Sequence, residues 1–407
     1  MPKSKFFLVK LLFSFSIIFL PKNIEAQDTL FNWQQLFEQS YYTGFKKLPP
    51  LRQYWQTLST SNQVIDLQPL SYGLDAILSM FEATDNTTYL DDAITITNNV
   101  VDSSQITNEI PNSVSVFKDE YRGWIEQKLK VSGVYLNESI LSEIYFFQYV
   151  TRLLKDIHNN KTINQIPKYQ YFYSHVLNFV ETNIWDKWET RGIRIRKNKD
   201  AYLFLNRSHM TSHWAYIATE LSFLTTSEEK KRDYLDFVNV YNTNLENNFH
   251  KYGTYISWNS TWNQNSINSL KNDAIVQDVS HGNLVVSYLV EAFDLGLWKD
   301  SDAIQRLINT LKDKLWDPQN CLFRDNMDGT MFRANIPHSS VGSFQADGFV
   351  KLTRYDRSLF KVYSQFISCT KYLTTWYQYG QLFANLALSE KLNHDPKFHP
   401  FLTQDNY

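Results

Sequence analysis

Apolar residues recur along this chain at three- and four-residue spacing, and runs that alternate apolar with polar positions are scarce. That period belongs to helices with one buried face. Residues 70–81 form one such segment, and 82–94 read as a turn followed by the opening of a second helix, which predicts a helical hairpin. Further hairpins are expected where 141–157 precedes 171–188, where 214–224 precedes 230–245, and where 284–293 precedes 301–315. A last helix is expected over 374–388. The second helix tends to follow a small polar cluster, as at Thr225-Thr226-Ser227-Glu228 and Lys299-Asp300-Ser301-Asp302. The units agree in pattern and not in identity, so a short solenoid repeat is not indicated. Hairpins that bury one face against their neighbours can close a circle with an inner and an outer ring of helices, and the open end of the inner ring makes a cleft. The expected fold is all-α: an (α/α) toroid, either incomplete or a six-hairpin barrel, with long rim loops at 105–115, 251–278 and 317–350.

The start of the chain changes the picture of where this toroid works. Lys3 and Lys5 precede an apolar run over 6–20, interrupted by Lys10 and two serines, and Ile24-Glu25-Ala26 then leads to Gln27. Residues 1–26 therefore read as a cleavable export signal, with 27–407 as one catalytic domain that is secreted or periplasmic. No later stretch approaches the length of a membrane span. With 40 basic and 42 acidic residues, the net charge of -2 gives no global field for nucleic acid or an anionic membrane. Cys321 and Cys369 are the only cysteines, too few for a disulfide scaffold or a thiolate zinc site, and they are either one bridge or two buried thiols. Aromatic residues make up 16% of the chain; they serve either as faces for sugar rings or as filling between helical layers.

Two segments concentrate the candidate chemistry: Asn206-Arg207-Ser208-His209-Met210-Thr211-Ser212-His213-Trp214 and Gln277-Asp278-Val279-Ser280-His281-Gly282-Asn283. Together with Met80-Phe81-Glu82-Ala83-Thr84 and Tyr89-Leu90-Asp91-Asp92-Ala93, they make the chain resemble exported bacterial (α/α)-toroid proteins that degrade polysaccharides. The resemblance is closest to uronate-cleaving lyases and dehydratases of marine, ulvan-type utilisation clusters. It implies a secreted carbon–oxygen lyase acting by β-elimination on an anionic, uronate-containing polysaccharide or oligosaccharide, leaving a 4,5-unsaturated uronate. The alternatives are a glycoside hydrolase of the toroid type and a non-catalytic glycan-binding protein.

Elimination beside a uronate carboxylate needs a charge neutraliser, a base and an acid. His209 and His213 lie four apart on one helical face, with Arg207 before them and Tyr216 one turn beyond. Arg207 suits the neutraliser, a neutral histidine the base, and Tyr216 or the second histidine the acid. The competing account makes His213 a core histidine and pairs Arg207 with a surface acid. Asp278 can orient His281, and Asn283 can meet a sugar hydroxyl or carboxylate; the same residues also read as an ordinary helix start. No cofactor is expected, although His209, His213, Asp278 and His281 would suit a divalent metal, which could replace Arg207. The His-Glu-x-x-His pattern is absent.

Further candidates line the expected rim. Arg122 and Trp124, within Lys118-Asp119-Glu120-Tyr121-Arg122-Gly123-Trp124 and followed by Glu143, Tyr145 and Tyr149, read either as a sugar platform or as a charged loop with a core tryptophan. Tyr72 with Asp75, and Gln345 with Asp347 before Gly348, are the others. Asp75 and Asp347 would supply the two carboxylates of a glycosidase. Sequons at Asn86, Asn137, Asn160, Asn206 and Asn259 matter only in a eukaryotic secretory route. The basic run Arg191-Gly192-Ile193-Arg194-Ile195-Arg196-Lys197 would suit an anionic polymer or be a solvated loop.

Overall fold

The computed structural model describes residues 32–44, 48–111, 113–126, 130–131, 134–135, 138–261, 275–331, 341–369, 376–395 and 398. The export signal over 1–26, the Asn137 sequon, and parts of two expected rim loops, 262–274 and 332–340, lie outside them. In chain order the α-helices are α1 (Trp33–Glu38), α2 (Leu51–Ser59), α3 (Leu67–Thr84), α4 (Thr87–Ser103), α5 (Ile140–Asn159), α6 (Pro167–Phe179) and α7 (Lys187–Arg191). There follow α8 (Ser208–Leu224), α9 (Glu228–Asn248), α10 (Val279–Asp294), α11 (Ser301–Asn309), α12 (Ser358–Cys369) and α13 (Trp376–His394). Two-stranded antiparallel ribbons occupy connections, for example Phe249–Tyr252 paired with Tyr255–Trp258 around Gly253, whose φ is +55°.

The packing closes a ring. Helix α3 packs on α5, α5 on α8, α8 on α10, α10 on the 3-10 segment Phe349–Arg354, that segment on α13, and α13 on α3. Outside this circle α4, α6, α9, α11 and α12 cover successive inner elements, and α1 and α2 cover α13 and α3. The fold is therefore an (α/α) toroid of six units, with one inner position filled by a short 3-10 turn. Tyr145 of α5 stacks on His213 of α8, and further along both helices Lys155 meets Glu220, so neighbouring inner helices run the same way. Their N-terminal ends share one rim.

The two rings differ in sequence for a physical reason. Outer helix α9 buries only Tyr234, Phe237, Val238, Tyr241 and Leu245, a single stripe at helical spacing. Inner helices are enclosed on all sides, so residues 70–81 are buried without interruption. Even so, α3 carries Ser71, Asp75 and Ser79, and α13 carries Gln378, Gln381, Asn385 and Ser389, all buried polar residues at three- and four-residue spacing. These stripes meet inside the ring. Tyr149 of α5 reaches Ser287 of α10 across α8, and Lys351 of the 3-10 segment reaches Asp75 of α3 across α13.

The expected hairpins appear: π-helical turns over Val180–Asp186 and Thr310–Leu315 continue α6 and α11 through the expected spans, and α8 and α10 begin about a turn or more earlier than the periodicity marked, at Ser208 and Val279. Cys321 and Cys369 form a disulfide, with Cα atoms 6.0 Å apart, tying a rim ribbon to the end of α12. No helix among the described residues is long and apolar enough to cross a membrane.

Candidate active site

The two histidine segments converge at the N-terminal rim. Before α8, Leu205 exchanges hydrogen bonds with Thr211 Oγ1, and Ser208 donates to Gln277 Oε1 at 2.8 Å, joining the first segment to the second. The second segment lies between two others: Gln277 N–H donates to Trp258 O at 2.8 Å, and Met327 N–H donates to Gln277 O at 3.0 Å. These ladders place the His209 and His281 rings 4.2 Å apart. His213 continues the row inward, stacked on Tyr145 at 4.2 Å, and Tyr145 meets Tyr72 edge-on at 6.4 Å.

Asp278 fulfils both accounts of its segment. Its Oδ1 caps α10 by accepting from His281 N–H at 3.1 Å, while its Oδ2 lies 2.7 Å from His281 Nδ1. The carboxylate accepts a hydrogen bond from Nδ1–H and leaves His281 Nε2 as the other ring nitrogen, available as an acceptor. Burial pushes the Asp278 carboxyl up, but His281 and Ser280 outweigh that effect and bring it down to about 2. His281 is half exposed. Its two partners are buried, and burial followed by neighbouring ring charge pushes His209 down to about 2 and His213 to about 3. Both imidazoles are therefore neutral. Gln148 Oε1 accepts from His213 Nδ1 at 2.8 Å, which makes His213 Nε2 an acceptor, and that atom has no hydrogen-bond partner among the described residues. No group of three or more metal-ligating side chains occurs among the described residues.

Asp347, just before the 3-10 segment, is buried on the polar inside of the ring at 4% exposure. Tyr149 donates to its Oδ1 at 2.7 Å, and Gln381 Nε2 donates to it at 2.8 Å. Burial, then the charge of Asp75, pushes Asp347 up to about 6 against the pull of Lys351. The phenol of Tyr145 is raised by burial and then by the charges of both Asp347 and Asp278, so both carboxyls lie within electrostatic reach of it. One acidic group is thus held high and the other low.

Several expected site residues are placed elsewhere. Asp75 is fully buried between Arg152 at 2.6 Å and Lys351 at 2.9 Å, with Asn385 and Gln381 on its other oxygen, so it cannot touch a substrate. Tyr216, expected as an acid, lies deep in the ring and donates to Glu291 at 3.0 Å. Its position one turn beyond His213 carries it past the rim toward the Lys155–Glu220–Glu291 cluster. Arg122 donates to Ser104 O at 2.7 Å, and Trp124 packs against Phe147 and Phe179 with its Nε1 on Val100 O; at 3% exposure it offers no face for a sugar. Asn283 is committed to backbone amides of the 3-10 segment. Arg207 remains exposed beside His209 and donates to Ser260. In the basic run, Arg191 is buried between Asp119 and Glu138, which makes it structural.

Gln148, Gln381, Lys351 and Asn385 were missed. Their signal was present, because each is a polar residue at a repeating spacing within an otherwise apolar segment.

No family model matches the chain, and no curated protein matches it. One solved structure is similar: an inactive variant of the alpha-1,6-mannanase GH76A of Salegentibacter sp. HEL1_6, in complex with alpha-1,6-mannotetrose. It is 11% identical, with a TM-score of 0.47, and the match covers 88% of this chain and 99% of that one. That protein is a mannanase, and the carbon–oxygen lyase expected from the sequence is not borne out. The geometry removes one of the two acids that elimination would have used, since Tyr216 is buried against Glu291. The likeness concerns fold and assigns no substrate.

Proposed function

We propose that this protein is a glycoside hydrolase acting on a polysaccharide or oligosaccharide at the histidine rim. One observation carries the reading: Asp347 and Asp278 both act electrostatically on Tyr145, and their acidities are driven apart, one to about 6 and the other to about 2. Glycoside hydrolysis needs such a pair, a carboxyl that keeps its proton for the leaving oxygen and a carboxylate that activates water or attacks carbon. Asp347 is the proton donor in this reading. Asp278 is the ionised partner, acting through the half-exposed His281, whose Nε2 serves as the base for water. His213 Nε2, a buried acceptor, receives a sugar hydroxyl. Arg207, exposed beside His209, favours a sugar bearing a carboxylate or sulfate. The enzyme acts outside the cytosol, a location the disulfide supports.

The test is release of reducing ends from uronate-containing and neutral oligosaccharides. Asp347→Asn and Asp278→Asn should each lower kcat about 10²- to 10⁴-fold, the usual worth of a positioned acid or base. Wild-type activity should fall as pH rises through about 6, where Asp347 loses its proton. Full activity in both variants would reject the assignment.

A further inference from the structure

Asp347 stands where the chain enters the sixth inner element, and that entry is held by a neighbouring helix. Asn283 Oδ1 accepts from the backbone N–H of Gly348 at 2.8 Å and of Phe349 at 3.0 Å. The first amides of a helical turn have no partner within it, so Asn283 caps the 3-10 segment from α10. Gly348 lies directly on that helix: a Cβ there would come within 2.0 Å of Asn283 O and 2.4 Å of Ser287 N. Asn283 is itself buried, at 2% exposure. Two residues before it on α10 is His281, oriented by the cap residue Asp278. One helix end therefore anchors both sides of the candidate site.

We propose that Asn283 is a positioning residue for Asp347, clamping the two amides behind it so that the carboxyl keeps a fixed place relative to Asp278. Its effect on turnover rests on the hydrolase reading above, whereas the clamp itself does not. A side chain buried in this way, and touching no substrate, acts only through the carboxyl it aims. Releasing the clamp lets the entry shift and exposes Asp347 to water. The burial that raises its pKa then weakens.

The experiment compares Asn283→Ala with Asn283→Asp in the full-length protein. Asn283→Asp keeps the acceptor oxygen and adds a negative charge. Amide hydrogen exchange over 341–354 should rise about tenfold or more in Asn283→Ala and stay near wild type in Asn283→Asp. On a glycan substrate, kcat should drop about 100-fold in Asn283→Ala with KM little changed, the cost of a misplaced catalytic group. The alkaline limb near pH 6 should move down in Asn283→Ala and up in Asn283→Asp. Unchanged exchange in Asn283→Ala overturns the proposal, as does a loss of kcat with the alkaline limb unmoved in both variants. If the wild-type protein cleaves no glycosidic bond, the hydrolase reading fails by itself. The exchange result in the two variants then decides the clamp, and Asn283→Ser, whose shorter side chain withdraws the acceptor, takes the place of Asn283→Ala with the same expected rise if that variant does not fold.

Discussion

At the scale of single residues, the same side-chain chemistry acquires opposite roles from burial and company. Asp75 and Asp347 both lie on the polar inside of the ring and share the amide of Gln381, each at 2.8 Å. Burial raises Asp75, but Lys351, Arg152 and Asn385 outweigh it, so the group stays ionised. Its negative charge is then one reason that Asp347 holds its proton. Asp75 is thus a charge that tunes another acid. Replacing it as Asp75→Asn should destabilise the fold by about 3–5 kcal/mol, because Arg152 and Lys351 lose a buried partner. In the protein that remains folded, the alkaline limb of activity should move below pH 6, since one of the charges raising Asp347 is gone. Denaturant unfolding and a pH–rate profile check the two halves, and an unmoved limb would refute the coupling. The identity of Asp75 as a candidate was readable from the sequence. Its burial between two cations was not, because Arg152 and Lys351 lie 77 and 276 residues away.

At the scale of elements, helix α8 shows what an enclosed position costs. The spacing of His209, His213 and Tyr216 correctly put them on one face, but that face runs along the ring and descends from the open rim to a buried acidic cluster. His213 is consequently neutral, its pKa depressed to about 3, while an unfolded chain would take a proton near 6.5. The unfolded state binds the extra proton between these values, so this residue's stabilising contribution is complete above pH 6.5 and declines as pH falls toward 3. The slope is about 1.4 kcal/mol per pH unit. Unfolding free energies of wild type and His213→Gln, compared from pH 7 to pH 4, should converge at that rate. Parallel curves would mean the ring is charged or solvated in the folded protein. This was not legible along the chain, since a histidine beside Trp214 is equally compatible with rim and core; the hydrogen bond to Gln148 and the Tyr145 ring define its surroundings.

At the scale of the whole molecule, closure is what joins the distant parts. Helix α13 returns to α3 through Asn385, which donates to Asp75 at 2.9 Å and accepts from Ser79 at 2.9 Å over more than 300 residues. The disulfide is a second long-range tie, closing 48 residues between a rim ribbon and α12. Restricting an unfolded loop of that length is worth about 4 kcal/mol in the chain-entropy account. Reduction, or Cys321→Ser, should therefore lower the Tm by several degrees, read by calorimetry with and without reductant. An unchanged Tm would show that the bridge constrains little in the unfolded chain. The two cysteines were visible from the start, but pairing needs Cα atoms about 6 Å apart, and no local pattern reports that distance.

The sequence by itself determined the helices, their pairing into hairpins, and the toroid they build, because the apolar period is a local consequence of one buried face per helix. It also determined that two histidine segments open inner helices, and therefore that they share a rim. Only the tertiary structure decided which polar residues face the opening and which face the closed interior, since both occupy the same stripe of the same helix. It also decided the ionisation of each acid, because charge states depend on burial and on partners brought in from the far side of the ring. The acid–base roles proposed for the site depend on this: the resemblance implied a lyase with a hydrolase as alternative, whereas the opposed acidities of Asp347 and Asp278 arise from burial and partners that only ring closure supplies.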